Sequence, residues 1–259
     1  MEITFAGCGS AFTDTRYYQS NMILTHPSGK RLLIDCGTDA RHSLSELGCT
    51  NENVGSFIDA IYISHLHSDH IGGLEWLGFC SFYGKPTFKP KLFIVDTLIE
   101  SLWESLKGGM RSQEGTVLDL DSFFEVCPIS INDKFEWCGS EFTPVQTVHF
   151  MDGMKIGPSF GLLIKEETGT VTFITTDTQF CPRQIERFYD MANIIFHDCE
   201  TSKNKSNIHA HYDDLRILSE KHKRKMYLYH YNPDPVQEPH KDGFLGFVRK
   251  GDTFKISLQ

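Results

Sequence analysis

Apolar positions fall in short blocks set apart by polar turns. Ile3–Phe5, Asn21–Leu24 and Leu32–Asp35 are compact and bounded by Gly, Pro or Asp, which predicts strands. Asp39–Leu47 predicts a helix that Gly48 closes. Ala60–Ile63 predicts a buried strand running into SHLHSDH, where Ser68 and Asp69 offer N-cap chemistry for a helix toward Leu77. Leu98, Leu102 and Leu106 recur every four residues and predict an amphipathic helix.

The second half repeats the style. Phe123–Val126, Glu141–Val148, Phe160–Ile164, Val171–Thr175, Ile194–Phe196 and Met226–Tyr229 read as strands. Gln184–Tyr189 and Tyr212–His222 read as helices, and Phe244–Val248 with Phe254–Leu258 as a closing hairpin. There is no internal repeat, low-complexity tract or long linker. Two strand-rich halves, each with helices, predict an α/β fold: one domain over residues 1–259, with two sheets face to face and helices outside.

Charge narrows the partners. The net charge is −9 and the pI about 5.7, which counts against nucleic acid as the main partner. No apolar run approaches the ~20 residues needed to cross a bilayer, and MEITFAGCGSAF lacks the basic and apolar regions of a secretory signal. The 8 Cys include no CxxC pair and read as reduced core thiols, so a cytoplasmic location is expected.

The densest chemistry is His65-Leu66-His67-Ser68-Asp69-His70. In an extended loop His65 and His67 point the same way, while Asp69 and His70 open the next helix and face a second point. Imidazoles and a carboxylate are ligands that zinc accepts. One loop cannot fill two sites. His149, Asp177 and His230 each end a predicted strand, where loops gather at a sheet edge, and are the candidates to complete them.

With these residues in place, the sequence resembles the metallo-β-lactamase superfamily, in particular its RNase Z-like branch. FAGCGSAFT, LLIDCGTDARHSL, HLHSDHIGGL, and HDCET with IHAHYDDL carry the resemblance over nearly the whole chain. It implies an αββα sandwich with two zinc ions per chain, manganese being an alternative. The implied ligands are His65, His67, His149 and bridging Asp177 for one ion, and Asp69, His70, Asp177 and His230 for the other. It also implies His209 as proton donor, held by Asp198, with Asp69 counted among the catalytic residues. His211 ranks second as donor, and His197 is a core or supporting residue.

The RNase Z branch inserts a tRNA-gripping arm between the third ligand motif and the bridging aspartate. Here 28 positions separate His149 from Asp177, enough for two strands and a turn. The armless anti-Pycsar phosphodiesterases of phages and bacteria are therefore the group this chain most resembles. That implies hydrolysis of 3′,5′-cyclic mononucleotides, cyclic CMP and cyclic UMP above all, to nucleoside 5′-monophosphates, in a host bacterial cytoplasm if the chain is phage-encoded. A tRNA 3′-processing endonuclease and a non-catalytic nucleotide-sequestering protein are the alternatives. Phe150, Met151, Tyr231, Tyr17 and Tyr18 are candidates to hold the base. A homodimer is expected, because the segment with Leu74, Trp76, Leu77, Phe79, Phe82 and Tyr83 would be apolar nearly all round as a helix.

Overall fold

The computed structural model describes residues 1–84, 87–113 and 115–256, with Asp152 described by its backbone. In chain order the strands are β1 (Glu2–Gly7), β2 (Asn21–Thr25), β3 (Arg31–Ile34), β4 (Ala60–Ile63), β5 (Lys91–Val95), β6 (Ser112–Gln113), β7 (Thr116–Val117), β8 (Glu125–Ile129), β9 (Phe135–Trp137), β10 (Ser140–Asp152), β11 (Lys155–Lys165), β12 (Val171–Ile174), β13 (Ile194–Asp198), β14 (Met226–Tyr229), β15 (Gly246–Phe247) and β16 (Thr253–Lys255). The helices are α1 (Ala40–Glu46), α2 (Val54–Phe57), α3 (Ser68–Ile71), α4 (Leu74–Tyr83), α5 (Asp96–Met110), α6 (Leu120–Phe123), α7 (Pro182–Met191), α8 (Tyr212–Leu215) and α9 (Glu220–Lys223).

Two 7-stranded sheets run β16-β1-β2-β3-β4-β5-β8 and β15-β14-β13-β12-β11-β10-β9. Both are mixed in the same way. In the first, pairing is antiparallel from β16 to β3 and parallel from β3 to β8. In the second, it is antiparallel from β9 to β12 and parallel from β12 to β15. The inner faces meet over Phe5, Tyr62, Phe142, Phe196 and Tyr229, all buried. Ring contacts tie the sheets together: Phe5 lies 5.0 Å from Phe196, and Phe93 lies 4.3 Å from Phe135. Outside, Leu98, Leu102 and Leu106 of α5 pack with Leu74 and Leu77 of α4 on the first sheet. Ile185 and Tyr189 of α7 pack with Tyr212 and Leu215 of α8 on the second. The αββα sandwich is thus the observed architecture.

Several local expectations change. The helix expected to run from Ser68 to Leu77 is two helices broken at Gly72–Gly73, because Gly73 donates its N–H to Cys36 O at 2.9 Å. A Cβ on Gly73 would lie 2.4 Å from Gly37 O, so the two loops touch backbone to backbone. The Tyr212–His222 helix divides at Ser219, which becomes the N-cap of α9. Phe123–Val126 straddles the end of α6 and the start of β8. The closing hairpin does not form: β15 pairs with β14 and β16 with β1, one in each sheet. Leu258 of that expected hairpin lies outside the described residues. Strands β5 and β9 were not anticipated; four of the five residues of β5 are buried, so it lacks alternation. Gly48 follows α1 with φ 90°, as a helix-ending glycine should. No helix among the described residues is long and apolar enough to cross a membrane.

Candidate metal centre

Strands of both sheets end at a common rim. On the first, β3 ends before Asp35 and β4 before Ser64. Asp35 has φ 61°, an uncommon left-handed conformation, and accepts from Ser64 N at 2.8 Å, Ser64 Oγ at 2.7 Å and His70 Nδ1 at 2.8 Å. It holds both ends of the HxHxDH loop. On the second sheet, Thr176 (φ 50°) turns the chain after β12 to present Asp177, and His230 (φ 61°) leaves β14. For a β-branched residue such as Thr176 a positive φ is strained, and such strain concentrates at sites of function. His149 does not end a strand as expected. It lies inside β10, where the register against β11 slips between Val148 and Phe150, and that bulge aims its ring at the rim.

The rim brings together the residues named from the sequence. The ligand-type atoms of His65, His67, His149 and Asp177 lie within 4.8 Å of one another, as do those of Asp69, His70, Asp177 and His230. In the first set His67 Nδ1 is 3.1 Å from His65 Nε2 and 3.0 Å from His149 Nε2. Asp177 Oδ2 is 3.6 Å from His65 Nε2 and 3.5 Å from His149 Nε2. In the second set Asp177 turns its other oxygen: Oδ1 is 3.4 Å from His70 Nε2 and 3.5 Å from His230 Nε2. Asp69 Oδ2 is 3.3 Å from each of those two nitrogens. Asp177 therefore bridges the two clusters through separate oxygens.

Electrostatics divide the clusters. Burial lowers the pKa of His65 and His67, and that of His149 to about 4, so these rings are neutral. His149 donates Nδ1–H to Ile208 O at 2.7 Å, which leaves Nε2 as a lone pair facing His67. In the second cluster burial again favours neutral imidazole, but the carboxylates win. The pKa of His70 is raised, and that of His230 is raised to about 10, chiefly by Asp177. Burial pulls Asp69 and Asp177 upward, yet the neighbouring histidines hold both below the usual carboxylate range.

The donors fit divalent metal. His70 Nε2 and Asp177 Oδ1 are buried without a hydrogen-bond partner, and the nitrogens of three neutral imidazoles converge in the first cluster. Converging lone pairs in the first cluster, and carboxylates offset only by protonated histidines in the second, are both favourable around a divalent cation. The opposite nitrogens of His70 and His149 already donate to Asp35 and Ile208 O, as metal-ligating histidines require.

His209 lies beside the second cluster and is mostly buried. Its Nδ1 donates to Asp198 Oδ2 at 2.8 Å. Burial works against the imidazolium, but Asp198, with Asp177 behind it, raises the pKa. His211 caps α8 by accepting from Asp213 N, and its Nε2 donates to Ser202 O, so it faces away from this pair. His197 is a core residue, bonded to Tyr189 Oη and Asp198 O.

Above the cluster opens a cavity of about 310 Å³, lined by Phe12, His67, Asp69, Ile208, His209 and Asn232 among others. Phe12 is 91% exposed, an unusual state for a phenylalanine. Neither Phe12 nor Ile208 was anticipated; an apolar residue on an irregular loop carries no periodic signal. The tyrosines named from the sequence sit elsewhere. Tyr231 bonds Val248 O in the core, Tyr18 bonds Glu46, and Tyr17 packs on Tyr231. Phe150 backs the His67 ring at 4.9 Å, and Met151 is exposed on the β10–β11 hairpin.

Comparison with known proteins agrees with this construction. The chain is 33% identical to an anti-Pycsar protein Apyc1 of Paenibacillus harenae, over 99% of this chain and 100% of that one. It is 31% identical to one from Bacillus phage vB_BveM-Goe7, over 96% of each. The metallo-β-lactamase fold protein YhfI from Bacillus subtilis superposes with a TM-score of 0.74 over 98% of each chain, at 15% identity, a likeness of fold. The family model of anti-Pycsar protein Apyc1 matches residues 1–254, and the chain belongs to that family.

Proposed function

We propose that this chain is a metal-dependent phosphodiesterase that opens the phosphate ring of 3′,5′-cyclic mononucleotides, cyclic CMP and cyclic UMP foremost, and so silences an antiviral signal. The observation that carries this is the placement of His209–Asp198 directly beside two His/Asp clusters that share Asp177. The first cluster would hold one divalent ion through His65, His67, His149 and Asp177, and the second another through Asp69, His70, Asp177 and His230. Zinc suits these donors, with manganese the alternative. Bound ions would supply Lewis acidity and make water a competent nucleophile at neutral pH.

The chain's own groups do the rest. Asp198 orients His209 by accepting a hydrogen bond from Nδ1–H, and the imidazolium it favours would give its Nε2 proton to the departing 3′ oxygen, leaving the neutral ring. Asp198 also stabilises the charged ring before that transfer. Phe12 and Ile208 offer an apolar seat for the base, and a cavity of about 310 Å³ matches a small ligand better than an RNA. The stretch from His149 to Asp177 runs through the end of β10, β11 and β12 with no inserted arm, and the β10–β11 tip exposes Met154 and Ile156 beside Lys155.

A homodimer remains part of the proposal, with a second copy bordering the site. Its support has moved, because Trp76, Phe79 and Phe82 of α4 are half-buried against the chain's own core. Tyr83 of that segment is exposed, as are Phe12 in the cavity lining and Met151, Met154 and Ile156 on the β10–β11 hairpin, and these would meet a second copy. The decisive experiment incubates metal-loaded protein with cyclic mononucleotides, cyclic dinucleotides and precursor tRNA, and identifies products by mass. Nucleoside 5′-monophosphates, lost with chelator and restored with zinc, are expected. Cleavage of the tRNA alone would overturn the reading, and light scattering decides the dimer.

A further inference from the structure

Residues 201–209 form an irregular excursion that bears His209, the proposed proton donor. Residues 203–208 of it are exposed. Its base is closed by backbone bonds, Glu200 N to Ala210 O at 2.8 Å and Tyr212 N to Glu200 O at 2.9 Å. Such a loop would ordinarily fluctuate, with few buried contacts to order it. One charged side chain alters that. Glu200 is 7% exposed, and its carboxylate turns back into the loop. It accepts from Ser202 Oγ at 2.7 Å, from Ser206 N at 2.9 Å and from Ser206 Oγ at 3.0 Å. Ser206 Oγ in turn accepts from Ile208 N at 3.3 Å. The next links are functional: Ile208 O receives His149 Nδ1–H at 2.7 Å, and His209 Nδ1–H goes to Asp198 at 2.8 Å.

We infer that Glu200 is a positioning residue for the chemical step: its buried carboxylate fixes the loop that simultaneously orients the proton donor His209 and the metal-ligand candidate His149. The inference rests on the phosphodiesterase reading above. Glu200 borders the site cavity, but both its oxygens are already committed to loop donors. Its negative charge would repel a phosphate, so its place is explained by the loop and not by contact with substrate. Ser206 N–H and Ser206 Oγ converge on the carboxylate, together with Ser202 Oγ, which also lies 2.6 Å from Asn204 O. A glutamine can keep Ser206 N–H on its one oxygen, but it loses the charge assistance and puts an NH2 where an acceptor stood, so the serine hydroxyls must turn and the loop is held more loosely.

The test compares wild type, Glu200→Gln, Ser206→Ala, His209→Ala and the Glu200→Gln/His209→Ala double variant at saturating zinc. Two substrates are used, a cyclic mononucleotide and a nitrophenyl phosphodiester whose leaving group needs no proton. Hydrogen exchange of residues 201–209 is followed alongside. Glu200→Gln should speed that exchange and lower cyclic-nucleotide turnover by about 10–100-fold, the scale of a slight misplacement. The nitrophenyl substrate should be much less affected. Ser206→Ala, which keeps its backbone N–H, should show a smaller change of the same kind. At saturating zinc, which masks a weaker hold on His149, the double variant should be no slower than His209→Ala, because both changes then remove the same positioned proton donor. Equal losses on both substrates, additive losses in the double variant, or faster exchange with unchanged turnover would each overturn the inference. Wild type that hydrolyses neither substrate would refute the phosphodiesterase reading instead. The exchange result would then still decide whether Glu200 anchors the loop, and unchanged exchange in Glu200→Gln would overturn the inference.

Discussion

The two sheets share one plan and furnish the rim in opposite ways. Each pairs antiparallel across one side and parallel across the other. The first sheet delivers four candidate ligands, His65, His67, Asp69 and His70, in a single loop after β4. The second delivers His149, Asp177, Asp198 and His230 one at a time from β10, β12, β13 and β14. Concentration makes the first contribution cheap to orient: one side chain, Asp35, grips Ser64 and His70 at the two ends of the loop. Dispersion ties the second contribution to the packing of a whole sheet, and each residue needs its own device. His149 has a bulge, Asp177 a strained Thr176, His230 its own positive φ, and Asp198 sits at the end of its strand. One short segment can be set by local bonds, whereas convergence of four strands depends on the core beneath them.

That contrast can be broken first at the residue both clusters share. On the proposed two-ion reading, Asp177→Asn should lose both ions and bring hydrolysis below detection, because it withdraws a charged oxygen from each set. Elemental analysis with activity assays checks this, and a variant that kept two ions would show that Asp177 does not bridge. His67→Ala, changed on the concentrated side, should by contrast spare the second ion.

The loop side can be disturbed as a unit. A Cβ on Gly37 would sit 2.1 Å from Asp69 O, so Gly37→Ala must push the backbone that carries Asp69. Cys36 N also holds His70 O at 2.7 Å, so the displacement reaches two ligands at once. Turnover should fall by roughly 10²-fold, as a misplacement near 1 Å produces, while the melting temperature moves little. Undiminished turnover would mean that the loop has slack the structure does not show.

A subtler change separates orientation from ligation. Asp35→Asn keeps the size of the side chain but weakens the bonds to Ser64 and His70. Metal affinity should drop about 10–100-fold, the usual worth of a partner behind a ligand. A competition titration with a fluorescent chelator measures it. No change would place the control of His70 elsewhere.

The same contrast explains what could be read early. HxHxDH is legible because its spacing within one loop is its geometry. His149, Asp177 and His230 were visible only as residues near the ends of apolar blocks, and their convergence came from the family resemblance. His149 shows the limit, since it lies inside β10 and not at its end. Asp35 and Glu200 stood in plain view, but nothing local marks a carboxylate as the partner of a residue far along the chain. The separation of β15 from β16 was equally hidden, because hairpin and crossover share the same local pattern.

The sequence by itself determined most element types, the sandwich class and a set of metal-ligand residue types, since apolar period, turn residues and ligand spacing are local properties. Tertiary structure alone decided which strands are neighbours, which nitrogen of each histidine is free, and that Asp177 turns one oxygen to each cluster. Those depend on contacts between distant segments, and such contacts are set by packing and burial across the whole chain rather than by any stretch of it.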